Sequence, residues 1–310
     1  MSLLVIHHPD CAGHDPSPGH PEAPARIEAA MAGLRDLPGC TIRQAREVSE
    51  REILRIHPTD YWQRIQASEP DAGQPSVALD PDTRIGAGSL RAIRLSAGAA
   101  CQGVEALLGG QARRVLCITR PPGHHAEANR SMGFCVLNNV ALAAAGALED
   151  PAIERVAIVD FDVHHGNGTQ AIFEHDPRVI FVSSHQSPLY PGTGAADEHG
   201  VGNIFNAELA PGSGSAAFRA AWEENLLVRL DEARPDLVLV SAGFDAHRLD
   251  PLAQLELETE DYAWIGRRLA ELASRHAGGR LLAVLEGGYS LQALAESCKA
   301  FAAAVDGEGC

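Results

Sequence analysis

The chain has 310 residues, 45% of them hydrophobic and 21% charged, enough apolar material for a large buried core in one α/β domain or two smaller ones. Its formal charge of −16 argues against non-specific binding to nucleic acid, whose phosphates it would repel, and suits a cationic substrate such as a lysine-bearing peptide or a polyamine. No apolar run approaches the roughly 20 residues that span a bilayer. The N-terminal MSLLVIHHPD lacks the basic segment of a signal peptide, so no membrane or export route is expected. Seven cysteines (11, 40, 101, 117, 135, 298 and 310), none in C-x-x-C spacing, point to reduced thiols in the cytoplasm and away from cysteine as a metal ligand.

Ser2 to Ile6 reads as a first strand. The following HHPDCAGHDPSPGHPEAP is too rich in His, Pro and Gly for regular structure. Its histidines 7, 8, 14 and 20 are spaced for a loop or a site rim rather than for one metal. Helical periodicity covers Pro24 to Asp36, and Glu50 to Ile65 reads as one or two short helices interrupted at His57-Pro58. Ser89 to Leu108 is a long Ala-rich helix stopped by Gly109-Gly110. Val115 to Thr119 is a buried strand and Val136 to Leu148 a helix. Val156 to Val159 is the central strand and runs straight into DFDVHHGNGTQ. A short helix from Gly168 to Phe173 and a strand from Val179 to Ser184 follow. Residues 186 to 214 form a long Gly/Pro-rich excursion. Then come a helix (Ser215 to Ala233), a strand (Asp236 to Ser241), a helix (Glu260 to His276), a strand (Arg280 to Leu285) and a closing helix (Leu291 to Val305). Strands alternating with helices predict one α/β domain over residues 1–310, with a central, mostly parallel sheet covered by helices on both faces.

In such folds ligands sit beyond the carboxyl ends of the strands. Five strands here end in polar groups: His124 and His125, then Asp160, Asp162, His164 and His165, then His185, then Asp245 in SAGFDAH, then Glu286 and Tyr289 in EGGY. One D-x-H on a strand is a weak metal signal. Five such clusters at one sheet edge are not a stability device. A catalytic zinc takes three protein ligands and leaves one position open. Asp162 and His164, at i and i+2, supply two, and Asp245 is the best third from another strand. His124 and His125 suit a general base near neutral pH, and Tyr289 suits a donor to a developing oxyanion. These parts together describe metal-assisted hydrolysis of an amide.

RPPGHHA (120–126), GFC (133–135), DFDVHHGNGTQ (160–170), PGTG (191–194), SAGFDAH (241–247) and EGGY (286–289) resemble the histone deacetylase family. The resemblance runs from HPEAPARI (20–27) to the closing helix. It implies an arginase-like α/β domain and a zinc-dependent deacetylase. Asp162, His164 and Asp245 match the zinc ligands. His124 and His125 match the tandem histidines, with His125 favoured as general base and acid and His124 chiefly electrostatic. Tyr289 matches the tyrosine that binds the substrate carbonyl. Asp160 matches the partner of the first histidine and also a potassium ligand. The carbonyls of Asp162, His164, Ser183 and Ser184 would complete that potassium site, and carbonyls around Phe173, Asp176 and Val179 would form a second. Phe134 and Tyr190 match the aromatic walls of the acyl-lysine tunnel, Gly133 and Leu252 other lining positions, and Arg26 an arginine at the foot of the acetate-release channel.

Asn167 stands where class I members carry an aspartate beside the second histidine; asparagine is the class II pattern. Without that carboxylate His125 should protonate less readily. Tyr190 replaces a common phenylalanine and adds a hydroxyl that wants a partner. The expected substrate is an acylated lysine or a related small acylated amine, with no nucleic acid or membrane partner and with homo-oligomerisation left open. Three other readings are an acetylpolyamine amidohydrolase, a non-catalytic acyl-ligand binding module and a binuclear manganese hydrolase of arginase type. A non-acidic Leu252 disfavours the first, and the intact set of ligands, histidines and tyrosine disfavours the second. The third would need further carboxylates around the central motif.

Overall fold

The computed structural model describes residues 3–35 and 37–307; the expected ends of the first strand at Ser2 and of the first helix at Asp36 lie outside them. Eight strands form one sheet: β1 (Leu4–His7), β2 (Thr41–Gln44), β5 (Arg114–Ile118), β6 (Val156–Asp160), β7 (Val179–Gln186), β8 (Ile204–Leu209), β9 (Leu237–Ala242) and β10 (Leu281–Leu285). Their order across the sheet is β2-β1-β5-β10-β9-β6-β7-β8, and every pairing is parallel. A two-residue antiparallel pair, β3 (Val77–Ala78) with β4 (Arg84–Ile85), stands apart.

The central strands are apolar without alternation: VAIVD, LVLVSA and LLAVL are buried along their whole length. Strands of that kind need cover on both faces. One layer comprises α1 (Ala25–Leu34), α9 (Thr259–His276) and α10 (Leu291–Asp306), which pack on one another. The other comprises α4 (Ser89–Leu108) and α5 (Asn139–Ala147). Both layers rest on the central strands β5, β9 and β10. The result is a single α/β domain whose strand ends share one edge.

Most expected elements are present with shifted ends. The segment 50–65 resolves into two helices, α2 (Glu50–Ile53) and α3 (Thr59–Ala67), separated around His57-Pro58. The helix expected from Val136 starts at Asn139, because the Asn138 side chain accepts the Ala141 N–H at 3.0 Å and caps it. The short helix after the central motif, α6 (Asn167–Phe173), begins one residue earlier than expected. The helix over 215–233 is α7 (Ser215–Ala221) and α8 (Leu227–Ala233), joined by one π-helical turn, Trp222–Leu226.

Two expectations need correction, and one strand was not foreseen. The N-terminal loop is not wholly irregular, since Pro9–Gly13 forms a 3-10 turn opened by Pro9. The excursion at 186–214 contains β8, which pairs with β7 from Phe181 to Gln186. Strand β2, TIRQ, is exposed along its length and carries no buried-face pattern, so only its pairing with β1 makes it a strand.

Candidate active site at the strand ends

Asp160 closes β6, beside Ser183 of β7 and Ser241 of β9. Side-chain alternation does not carry past it, because the strand stops there. Instead each carboxylate takes a main-chain N–H two residues on: Asp162 N donates to Asp160 Oδ1 at 3.1 Å and His164 N to Asp162 Oδ1 at 2.9 Å. These linked Asx turns, a habit of short acidic side chains, aim Asp162 and His164 at one point. Asp245, in the loop after β9, is oriented by the Val163 N–H on its Oδ1 at 2.9 Å.

Asp162, His164 and Asp245 bring ligand atoms within 4.8 Å of one another, the one such group among the described residues. His164 Nδ1 lies 3.0 Å from Asp162 Oδ1 and 3.2 Å from Asp245 Oδ2. Burial and the Asp162 charge push the Asp245 carboxyl up. Burial opposes a charged His164, yet the two carboxylates raise it to about 10. A proton there does the work of a cation, and a buried carboxylate pair calls for one. Asp245 Oδ2 has no hydrogen-bond partner and is buried. Two carboxylates, one of them with an orphaned oxygen, and an imidazole fit a divalent first-row metal. The loop of β10 leaves room for it: Gly287 donates to Asp162 Oδ2 at 2.8 Å, and a Cβ on Gly287 would run into the Asp245 carboxylate.

The tandem histidines lie beside this group. His124 Nδ1 meets Asp160 Oδ2 at 3.0 Å; burial lowers its proton affinity, but Asp160 and Asp162 outweigh that and raise it to about 10. Burial itself lifts the Asp160 carboxyl to about 6. His125 is the opposite case. Burial, then the charges of His124 and His164, lower it well below the usual imidazole range. Its Nδ1 lies 2.8 Å from Asn167 Oδ1, and the Asn167 amide nitrogen reaches Glu127 Oε1 at 3.3 Å. The amide oxygen therefore faces the ring, Nδ1 carries the proton, and Nε2 is left with its lone pair. The two rings stand 4.0 Å apart, one suited to remain charged and the other neutral.

These groups open on a cavity of ≈230 Å³ lined by His124, His125, His164 and Tyr289 at its base and by Gly133, Phe134, Tyr190 and Leu252 along its walls. It is smaller than the usual pocket for a drug-sized ligand. Burial keeps the Tyr289 phenol well above its usual range, so it stays a donor. Gly133 (φ +57°) and Phe134 (φ +66°) both sit in the left-handed region. For Phe134 that is a strained backbone, held by Thr83 Oγ1 on its N–H at 3.1 Å. Asp82 Oδ1 accepts the Gly133 N–H at 3.1 Å, and a Cβ on Gly133 would strike the His125 ring. Burial, then the nearby Asp82 charge, pushes the Tyr190 phenol above its usual range. A larger groove, ≈850 Å³, lies between α9 and α10 at the opposite, amino-terminal end of β5 and holds none of these residues.

Asp82 and Leu189 line the cavity and escape the sequence reading: neither belongs to a motif, and Asp82 sits in an unpatterned loop. Arg26 is buried and fully engaged rather than open to the cavity. It donates to Gly288 O at 2.7 Å, Glu286 O at 2.5 Å and Glu22 Oε1 at 3.0 Å, and its guanidinium stands 4.9 Å from the Tyr289 ring centre. Glu22 also pairs with Arg120, tying this cluster to the loop of the tandem histidines. Of the loop histidines, His20 meets the Phe134 ring edge-on at 4.7 Å, while His14 lies buried 3.4 Å from Glu22; neither joins the Asp162 group. Phe173, Asp176 and Val179 turn their main-chain oxygens to one point, where they accept from the side-chain amide of Asn203.

A family model described as the histone deacetylase domain matches residues 20–305. A histone deacetylase-like amidohydrolase of Pseudomonas aeruginosa is 41% identical, over 88% of this chain and 73% of its own. A polyamine deacetylase, HDAC10 of Mus musculus, is 38% identical over 96% of this chain and 47% of its own length. Among solved structures, the HDA15 HD domain superposes with a TM-score of 0.92 at 33% identity, covering 99% of this chain and 89% of that one.

Proposed function

The chain belongs to the histone deacetylase family and is a deacetylase-type amidohydrolase, and on that premise we propose how its residues divide the work. Asp162, His164 and Asp245 would hold a zinc ion, whose chemistry when bound would be to polarise the acyl carbonyl and lower the pKa of the attacking water. His125 Nε2 takes the proton from the attacking water and returns it to the leaving amine; Asn167 fixes the tautomer that makes this feasible. His124, kept charged by Asp160, offsets the negative charge that builds on the acyl carbon's oxygens. Tyr289 donates its phenolic hydrogen to the carbonyl oxygen. Gly133, Phe134, Tyr190 and Leu252 guide an acylated side chain inward and keep bulk water out, while Arg26 sits at the inner end as the acetate leaves. A potassium ion at Asp160 and the carbonyls of Asp162, His164, Ser183 and Ser184 would brace the loop after β6; the adjacency of Asp160 and Ser183 in register supports it. Residues 1–310 act as one deacetylase domain in the cytoplasm, a location with which its free cysteines agree.

The observation that carries this reading is the three-donor group set at the base of a narrow cavity shared by His125 and Tyr289. The substrate is an acylated lysine or a small acylated amine. A polyamine-selective reading has one feature in its favour, the Asp82 carboxylate in the cavity wall. That carboxylate is already engaged by Gly133 and Thr83, and Leu252 adds no second acid. Turnover of an acetyl-lysine peptide against acetylputrescine, on protein of known zinc content, separates them. Hydrolysis of both is expected; activity on the polyamine alone would overturn the broader assignment.

A further inference from the structure

Asn203 Nδ2 lies 2.8 Å from Phe173 O, 3.1 Å from Asp176 O and 2.9 Å from Val179 O. Those three carbonyls are the ones through which the family resemblance implies a second monovalent cation. We infer that Asn203 takes that cation's place, closing the connection between α6 and β7 with the positive end of an amide dipole, so that this chain binds no potassium there.

Three carbonyls converge on one buried point. Phe173 ends α6, Asp176 lies in the turn and Val179 opens β7. Phe173 O also accepts the Asp176 N–H at 2.9 Å and Asp176 O the Val179 N–H at 3.1 Å, so the amide meets their second lone pairs. Asn203 is buried, and three oxygens facing one another in such a place need a positive partner between them. The orientation of the amide is settled by its other end. Val201 N–H donates to Asn203 Oδ1 at 3.1 Å, so the NH2 must face the carbonyls; reversed, an oxygen would meet three oxygens and an NH2 would meet an N–H. The side chain is also anchored by its backbone. Asn203 N donates to His199 O at 3.2 Å, and Asn203 O accepts the Phe181 N–H at 2.9 Å. Asp176 offers no anionic ligand in compensation, because its carboxylate is turned to the Arg178 guanidinium at 2.9 and 2.6 Å. An ion at the focus of the three oxygens would coincide with the amide nitrogen. Both cannot be present.

The test uses the zinc-loaded full chain, wild type and Asn203→Ala, freed of alkali metal in tetramethylammonium buffer and then titrated with potassium chloride. Bound potassium per chain is read after equilibrium dialysis, and the thermal midpoint is followed alongside. The variant should bind one potassium more than the wild type. Without potassium its midpoint should drop by about 4 °C or more, and potassium should recover most of that drop while moving the wild type far less. Two potassium ions on the wild type would overturn the inference, as would a variant that gains no ion and no stabilisation. If Asn203→Ala folds in neither salt, the wild-type count decides: none or one supports the substitution of amide for ion, and two refutes it. Neither readout depends on catalysis, so failure here leaves the assignment of the active site untouched.

Discussion

At the scale of the residue, the division of labour proposed for His124 and His125 rests on one partner each: a carboxylate for the first, a neutral amide for the second. Asn167→Asp would set a negative charge against His125 Nδ1 and raise that ring's proton affinity by roughly 1 unit or more. A general base with a raised pKa is lost to protonation at a higher pH, so the acid limb of the kcat/KM profile should move up by a similar amount. An unmoved limb would remove His125 from the role of base. Tyr289→Phe keeps the ring against Arg26 and Phe134 and deletes only the donor. It should keep zinc and fold while kcat falls about 10²–10³, as for one lost oxyanion donor; a fall of only a few-fold would mean that Tyr289 does not touch the carbonyl. Residues of this kind were legible because they sit in motifs at strand ends. Asp82, Glu22 and Asn203 were not, since each acts through a loop that only the fold brings near.

At the scale of the element, the parallel strands were readable from unbroken β-branched runs and the helices from their spacing. What escaped were elements whose identity comes from a neighbour: β2, all exposed, and β8, hidden in a Gly/Pro-rich stretch and defined by its ladder with β7. Asn138 moved a helix start by capping, and the Asx turns after Asp160, rather than strand alternation, aim the central donors. The turn at Gly133-Phe134 is the element most exposed to a single change. Gly133→Ala puts a methyl into the His125 ring at a backbone angle that alanine disfavours. It should lower kcat by at least about tenfold, since misplacing a catalytic group by about 1 Å can cost 10²-fold, while zinc content stays at the wild-type value. Wild-type kcat would show that the ring is not held by this contact.

At the scale of the whole molecule, one parallel sheet covered on both faces delivers the ends of β5, β6, β7, β9 and β10 to a single edge, and the chemistry gathers there from segments more than a hundred residues apart. The strong negative charge of the chain fits a cationic substrate. The order of motifs made this site legible before the structure, and the focus of three donors on one point is what the coordinates add. That convergence is tested most directly by titrating metal-free protein with zinc while following hydrolysis of an acetyl-lysine peptide, in the wild type and in Asp245→Ala. Activity should rise from nothing and saturate at a single equivalent of zinc per chain, and Asp245→Ala should need far more zinc to bind one. Full activity without metal, saturation only at two equivalents, or undiminished zinc affinity in Asp245→Ala would contradict it.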